Sequence, residues 1–154
     1  MMFLRKSVFL VFLFAALLVK GDELPLKVSQ AWVQAVPPVS SVTAAFFSLQ
    51  NEGKAPLKLT EASTPIAGSV MPMITTTKMV KGQKETGMES VLELTIPPGG
   101  KLVLEPGGNH LMLMDLKQHP KAGEVVEITL QIEPGHRQLK IKAPVSMREP
   151  GVVQ

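Results

Sequence analysis

The sequence predicts an all-β domain, a sandwich or small barrel, on three observations. Short apolar runs recur roughly every 8 to 12 residues, as in strands joined by tight turns. Clusters of Pro, Gly and Asn stand between them. No stretch beyond the first twenty-one residues sustains a period of about 3.6. The predicted strands, in order, are Lys27–Val36, Val42–Leu49, Leu57–Ala62, Gly68–Val80, Met88–Ile96, Lys101–Leu104, Asn109–Leu116, Val125–Ile132 and Gln138–Ala143. Pro37-Pro38 closes the first. Asn51-Glu52-Gly53 closes the second, whose Ala44-Ala45-Phe46-Phe47 suits a helix but whose β-branched start and turn-like end favour a strand. Pro97-Pro98-Gly99-Gly100, Pro106-Gly107-Gly108 and Pro134-Gly135 punctuate the rest, Gly supplying positive φ and Pro fixing φ. Trp32 is assigned to the core.

Residues 1–21 read as a secretory signal peptide. Arg5 and Lys6 form a basic start, Ser7–Val19 is uncharged and apolar, and Asp22 is the expected mature N-terminus. Thirteen uncharged residues fall short of the about 20 that a membrane span needs. The chain has no cysteine, which excludes lipid attachment at a lipobox and any disulfide. The leader implies export, with no stable membrane span expected after cleavage. The formal charge of +3 comes wholly from Arg5, Lys6 and Lys20, so the remaining chain is neutral and lacks the basic footprint of a nucleic-acid binder. Asp22–Val145 suits one domain with one core, followed by a loose tail, Ser146–Gln154.

Methionine carries the functional signal. Of nine, six lie between Met71 and Met114 (Met71, Met73, Met79, Met88, Met112, Met114), in a stretch that also holds His110. Thioethers beside an imidazole, without thiols, are soft neutral donors that suit Cu(I) better than zinc, magnesium or iron. Strand alternation puts His110, Met112 and Met114 on one face and Leu111 and Leu113 on the other, toward the core. Positions two apart on a strand are roughly 7 Å apart, a gap that His110 and Met112 can bridge; Met114 is about twice as far from His110. Met71 and Met73 likewise share a face, and Pro72 between them marks an edge or a bulge. Any single Met can equally be core filling, the reading given to Met71 and Met114.

The segments Ala31-Trp32-Val33-Gln34-Ala35-Val36-Pro37-Pro38 and Ala44–Gly53, with "IPPGG…LEPGGNHLMLMDL" over Leu94–Leu116, resemble the PCuAC family of exported copper chaperones across roughly Ala31 to Val145. That family's signature is His or Met, ten residues, Met, twenty-one residues, then His-x-Met. Met88, twenty-one intervening residues and His110-Leu111-Met112 match its last three ligands. Ten residues before Met88 stands Thr77, which binds no soft metal. Aligning Ala67-Gly68-Ser69-Val70 instead places Met73 at the first ligand, with a hairpin four residues longer carrying Lys81-Gly82-Gln83-Lys84; Met71 and Met79 are the alternatives.

The resemblance implies a cupredoxin-like Greek-key β-barrel or sandwich. It implies a Cu(I) site of Met73, Met88, His110 and Met112. It also implies a periplasmic location and delivery of copper to the CuA centre of cytochrome c oxidase, alongside Sco-type proteins. Only an imidazole in that set competes with protons, so copper affinity is expected to fall below about pH 6. No catalysis is expected: the chain has no Gly-x-Ser-x-Gly elbow, no phosphate-binding glycine loop and no His-Glu metal helix. The alternatives are copper storage or resistance with the same site, and a metal-free β-sandwich interaction module. His119 and His136 are read as loop residues, with a second Cu(II) site including Met147 as the competing reading.

Overall fold

The structure, a computed structural model, describes residues 24–151. The signal peptide and its cleavage point lie outside the described residues. Every regular element among the described residues is a strand: β1 Leu26–Gln34, β2 Val42–Asn51, β3 Leu57–Ser63, β4 Ala67–Val80, β5 Gln83–Ser90, β6 Leu94–Ile96, β7 Lys101–Leu104, β8 His110–Leu116, β9 Val125–Glu133 and β10 Arg137–Ser146. No helix in this range is long and apolar enough to cross a membrane. The all-β expectation holds.

The strands run in the order β5-β4-β8-β2-β1-β10-β9-β3-β6, with β7 pairing β2 beside β8. All pairings are antiparallel except β1 with β10, which meet in parallel only at Val33↔Val145 and Gln34↔Ser146. That short seam joins two layers. Alternate residues of each layer point inward, Val33, Ala45, Phe47, Leu111 and Leu113 from one and Leu59, Ile96, Ile128, Leu130 and Ile132 from the other. They form one continuous core whose members are almost wholly buried.

Three departures from the predicted strands bear on function. The predicted strand Met88–Ile96 is two elements. Its first residues belong to β5, which begins five positions earlier at Gln83, and Leu94–Ile96 crosses to the opposite layer as β6. Every residue of β5 is exposed, so it shows no apolar alternation; only the backbone ladder to β4 makes it a strand. β4 and β5 meet in a two-residue turn, Lys81-Gly82, between the paired Val80 and Gln83. Positive φ at both (50° and 78°) is the backbone twist that matches a hairpin. The second departure is a bulge in β1. Register shifts between Ser29 and Trp32, with Gln30 at φ 55°. One extra residue reverses the side-chain parity, so Val28 faces the core opposite Leu49 while Trp32 faces outward opposite Phe46. Trp32 is buried as expected, but it lies outside the main core. The third is at the C-terminus, where β10 runs through Ser146, one residue into the predicted tail.

Candidate metal centre

β8 alternates as predicted. Leu111 and Leu113 are fully buried in the core, while Met112 and Met114 are half-buried on the outer face. His110 shares that outer face but is itself only 8% exposed. Its cover is aromatic. Phe46 lies 6.3 Å from the imidazole, centroid to centroid, and stacks in turn on Trp32 at 4.7 Å. The β1 bulge therefore builds the wall behind His110, by turning Trp32 outward onto Phe46.

The pairing of β4 with β8 brings the donors together. Met73 stands opposite His110 and Met71 opposite Met112. Directly opposed side chains begin about 5 Å apart, so these four form a compact block on one face. β5 adds Met88, opposite Thr75 and hence diagonal to Met73, about 7–8 Å away. Met88 is 48% exposed and lies on the edge strand next to the block. All four predicted ligands, Met73, Met88, His110 and Met112, thus share one face. Met114 pairs Ser69 and Val42, two rungs from His110. Met79 pairs Lys84 near the hairpin tip, about 20 Å along β4 from Met73 and 70% exposed, so it is no partner of this block. Pro72 is explained by the same layout. β5 covers β4 only from Met73 onward, so Pro72 sits where that ladder ends and its missing N–H costs no rung.

The chemistry of the donors fits a soft ion. The His110 Nδ1 lies 3.1 Å from the Gly108 carbonyl oxygen. A carbonyl only accepts, so Nδ1 carries the proton and Nε2 keeps its lone pair for a metal. The paired residues of this face, from Ser69 to Thr77 on β4 and across β5, β8 and β2, carry no charge. Among the described residues no group of three or more His, Cys, Asp or Glu could hold a metal, so a hard cation finds no carboxylate cage here. The second-site reading fares differently. His136 sits in the β9–β10 turn, its Nδ1 2.6 Å from Glu133, and Met147 follows the far end of β10. Ten strand residues, about 33 Å, separate them, so they cannot share one ion.

Two contributors were invisible in the sequence. Trp32 read as an ordinary core residue and Phe46 only as part of a strand, and no spacing rule places them beside His110. Asn109 was counted as the start of a strand, whereas its side chain accepts the Thr75 N–H at 3.0 Å.

The two-layered β fold is the fold of solved PCuAC domains. The chain superposes on the apo PCuAC domain of PmoF1 with a TM-score of 0.64 at 25% identity, covering 80% of this chain and 95% of that one. The solution structure of Cu(I)-DR1885 from Deinococcus radiodurans matches with a TM-score of 0.64 at 42% identity, covering 86% of each chain. Residues 26–145 match the family described as "Putative lipoprotein LpqE-like", and the chain belongs to that family. A relative from Leifsonia xyli subsp. xyli, "Putative lipoprotein Lxx21020", is 37% identical over 110 residues, 71% of this chain; the match spans 63% of that protein's length. The present sequence holds no cysteine that could carry lipid.

Proposed function

We propose that this chain is a Cu(I) carrier that acts after export to the periplasm, with its leader at residues 1–21 removed. It holds one ion through Met73, Met88, His110 and Met112 and passes it to an acceptor. The observation that carries this reading is the convergence of three strands on one uncharged face, where Met73 opposes His110, Met112 flanks it and Met88 closes from the edge. The 42% identity to a protein solved in its Cu(I) form supports the choice of ion. Met73 is the better first ligand than Met71, because it stands opposite the imidazole and one rung nearer to Met88.

The geometry suits a carrier rather than a permanent holder. Neutral thioethers bind Cu(I) more weakly than thiolates, so a cysteine-containing acceptor can take the ion. One proposed ligand, Met88, is exposed enough to be approached from solvent, and the exposed Met71 thioether lies beside the set rather than in the core where it was expected. The acceptor implied by the family is the CuA centre of cytochrome c oxidase, with Sco-type proteins as companions. A carrier of this kind needs no catalytic group.

The test is titration of the purified protein against a chromophoric Cu(I) chelator. One ion per chain is expected. His110→Ala or Met88→Ala should cost more than the about 10- to 100-fold typical of losing an outer-shell partner. Binding unchanged in both variants would sink the reading. Transfer to an apo CuA domain then separates delivery from storage.

A further inference from the structure

We propose that Asn109 is a positioning residue for the copper site, acting through Thr75 to hold Met88 in reach of His110. This rests on the copper-carrier reading above. The ladder between β4 and β8 ends at Met73↔His110, because the chain before His110 turns away through Pro106, Gly107 and Gly108. The next N–H of β4 that faces β8, at Thr75, has no strand carbonyl to meet. Asn109 Oδ1 takes its place at 3.0 Å and extends the attachment by one rung.

That rung is the one that matters for Met88. Thr75 stands directly opposite Met88. β5 is the edge of the sheet and pairs with β4 alone, so its strand pairing ties Met88 to the site through β4, with Val91 N–H on the Pro72 carbonyl at the arm's root. From Thr77 to the tip and back to Ser90, the hairpin is exposed throughout and finds little support from the body. The arm is a cantilever, and the Asn109–Thr75 bond is its outermost fastening to β8. Loss of that bond frees the arm to twist from its root, where Met88 is carried.

The same loop also orients the imidazole. The Asn109 carbonyl accepts from Glu105 N at 2.9 Å, Gly108 N donates to the Glu105 carbonyl at 3.0 Å, and the Gly108 carbonyl receives His110 Nδ1. Gly107 takes the positive φ, 78°, within this closed turn. One five-residue loop therefore sets the direction of His110 through Gly108 and the place of Met88 through Asn109. A second observation points to the same spot. The Thr75 hydroxyl, on the donor-bearing face, is buried and has no hydrogen-bond partner among the described residues. A buried unpartnered hydroxyl is a cost the fold tolerates, here at the junction of β5, β4 and the loop.

The experiment compares Asn109→Ala and Asn109→Asp, each alone and combined with Met88→Ala, in Cu(I) competition titrations. Asp keeps the acceptor oxygen; Ala removes it. Asn109→Ala should weaken Cu(I) binding by about 10-fold or more, the size of an outer-shell loss, while Asn109→Asp stays within about 3-fold of the wild type. In the Met88→Ala background the Asn109→Ala penalty should fall below about 2-fold, since residues acting through one another are non-additive. General loosening of the fold would weaken both backgrounds equally. Hydrogen exchange of the Thr75 amide in the copper-free protein should accelerate in Asn109→Ala and not in Asn109→Asp. Wild-type affinity in Asn109→Ala, or an undiminished penalty beside Met88→Ala, overturns the positioning role while the copper reading stands. A wild-type protein that binds no Cu(I) overturns both.

Discussion

β8 carries its core residues and its proposed ligands one position apart, so two neighbouring truncations should have opposite signatures. Leu113 is fully buried in the core, while Met112 is half-buried on the outer face. Leu113→Ala leaves a cavity that surrounding strands cannot close, and costs about 3 kcal/mol. For a domain of this size that lowers Tm by roughly 10–15 °C. Met112→Ala opens onto a partly solvated face and costs about 1 kcal/mol, roughly 3–5 °C. With copper the order reverses. Free Cu(I) buffered about 1,000-fold above Kd stabilises the native state by about 4.1 kcal/mol. A 100-fold loss of affinity in Met112→Ala removes about 2.7 kcal/mol of this, cutting the copper-induced rise in Tm by roughly 10 °C. Leu113→Ala should retain the full rise from its lower start. Differential scanning calorimetry with and without buffered Cu(I) reads all four quantities. If Met112→Ala shows the wild-type copper shift, Met112 is not a ligand and the assignment of faces to roles is wrong.

Other expectations follow from the same geometry. Met79→Ala should leave Cu(I) affinity unchanged in chelator competition, since about 20 Å of strand separates it from Met73; a loss comparable to that of Met88→Ala would refute the layout. Gly68→Ala should destabilise the fold by about 1–3 kcal/mol in urea titrations, because an added Cβ would lie 2.9 Å from the Asp115 Cβ. Asp115, at φ 53°, is the residue across β8, and Asp115→Gly should recover most of that loss. No recovery would mean that the clash is not the cause. The partly buried Glu133 carboxylate is held below its ordinary value of 4.5, chiefly by the backbone N–H of His136 and then by the Gln131 side chain. A depressed folded pKa stabilises the native state above the unfolded value and loses that stabilisation as pH falls through the folded one. Glu133→Gln should therefore flatten the fall in stability below pH 4.5 and change its slope little above that; an unaltered acid profile would contradict this.

Much of the site was legible because it depends on local periodicity. The alternation of His110, Leu111, Met112 and Leu113 is a property of any strand, and the burial of the two leucines follows from it. Met88 was reachable through the spacing of a family signature and Met73 only through aligning Ala67–Val70 with that family, neither of them through alternation. β5 is exposed on both faces, so its sequence carries no hydrophobic signal and its strand begins where none was expected. Trp32 is buried as expected, but the side of the sheet it covers was not legible, because a single extra residue at Gln30 reverses the strand's parity.

By itself the sequence determined that the chain is a β domain without thiols, that its soft donors are crowded into one stretch, and that His110 and Met112 share a face. Composition and a period of two suffice for such statements, since both act within a few residues. The tertiary structure alone decided which distant positions meet. Met73 against His110, Met88 diagonal to Met73, Phe46 and Trp32 behind the imidazole, and Asn109 on the Thr75 amide are all cross-strand relations. They depend on register, bulges and strand order, which the whole core selects together and no local segment encodes.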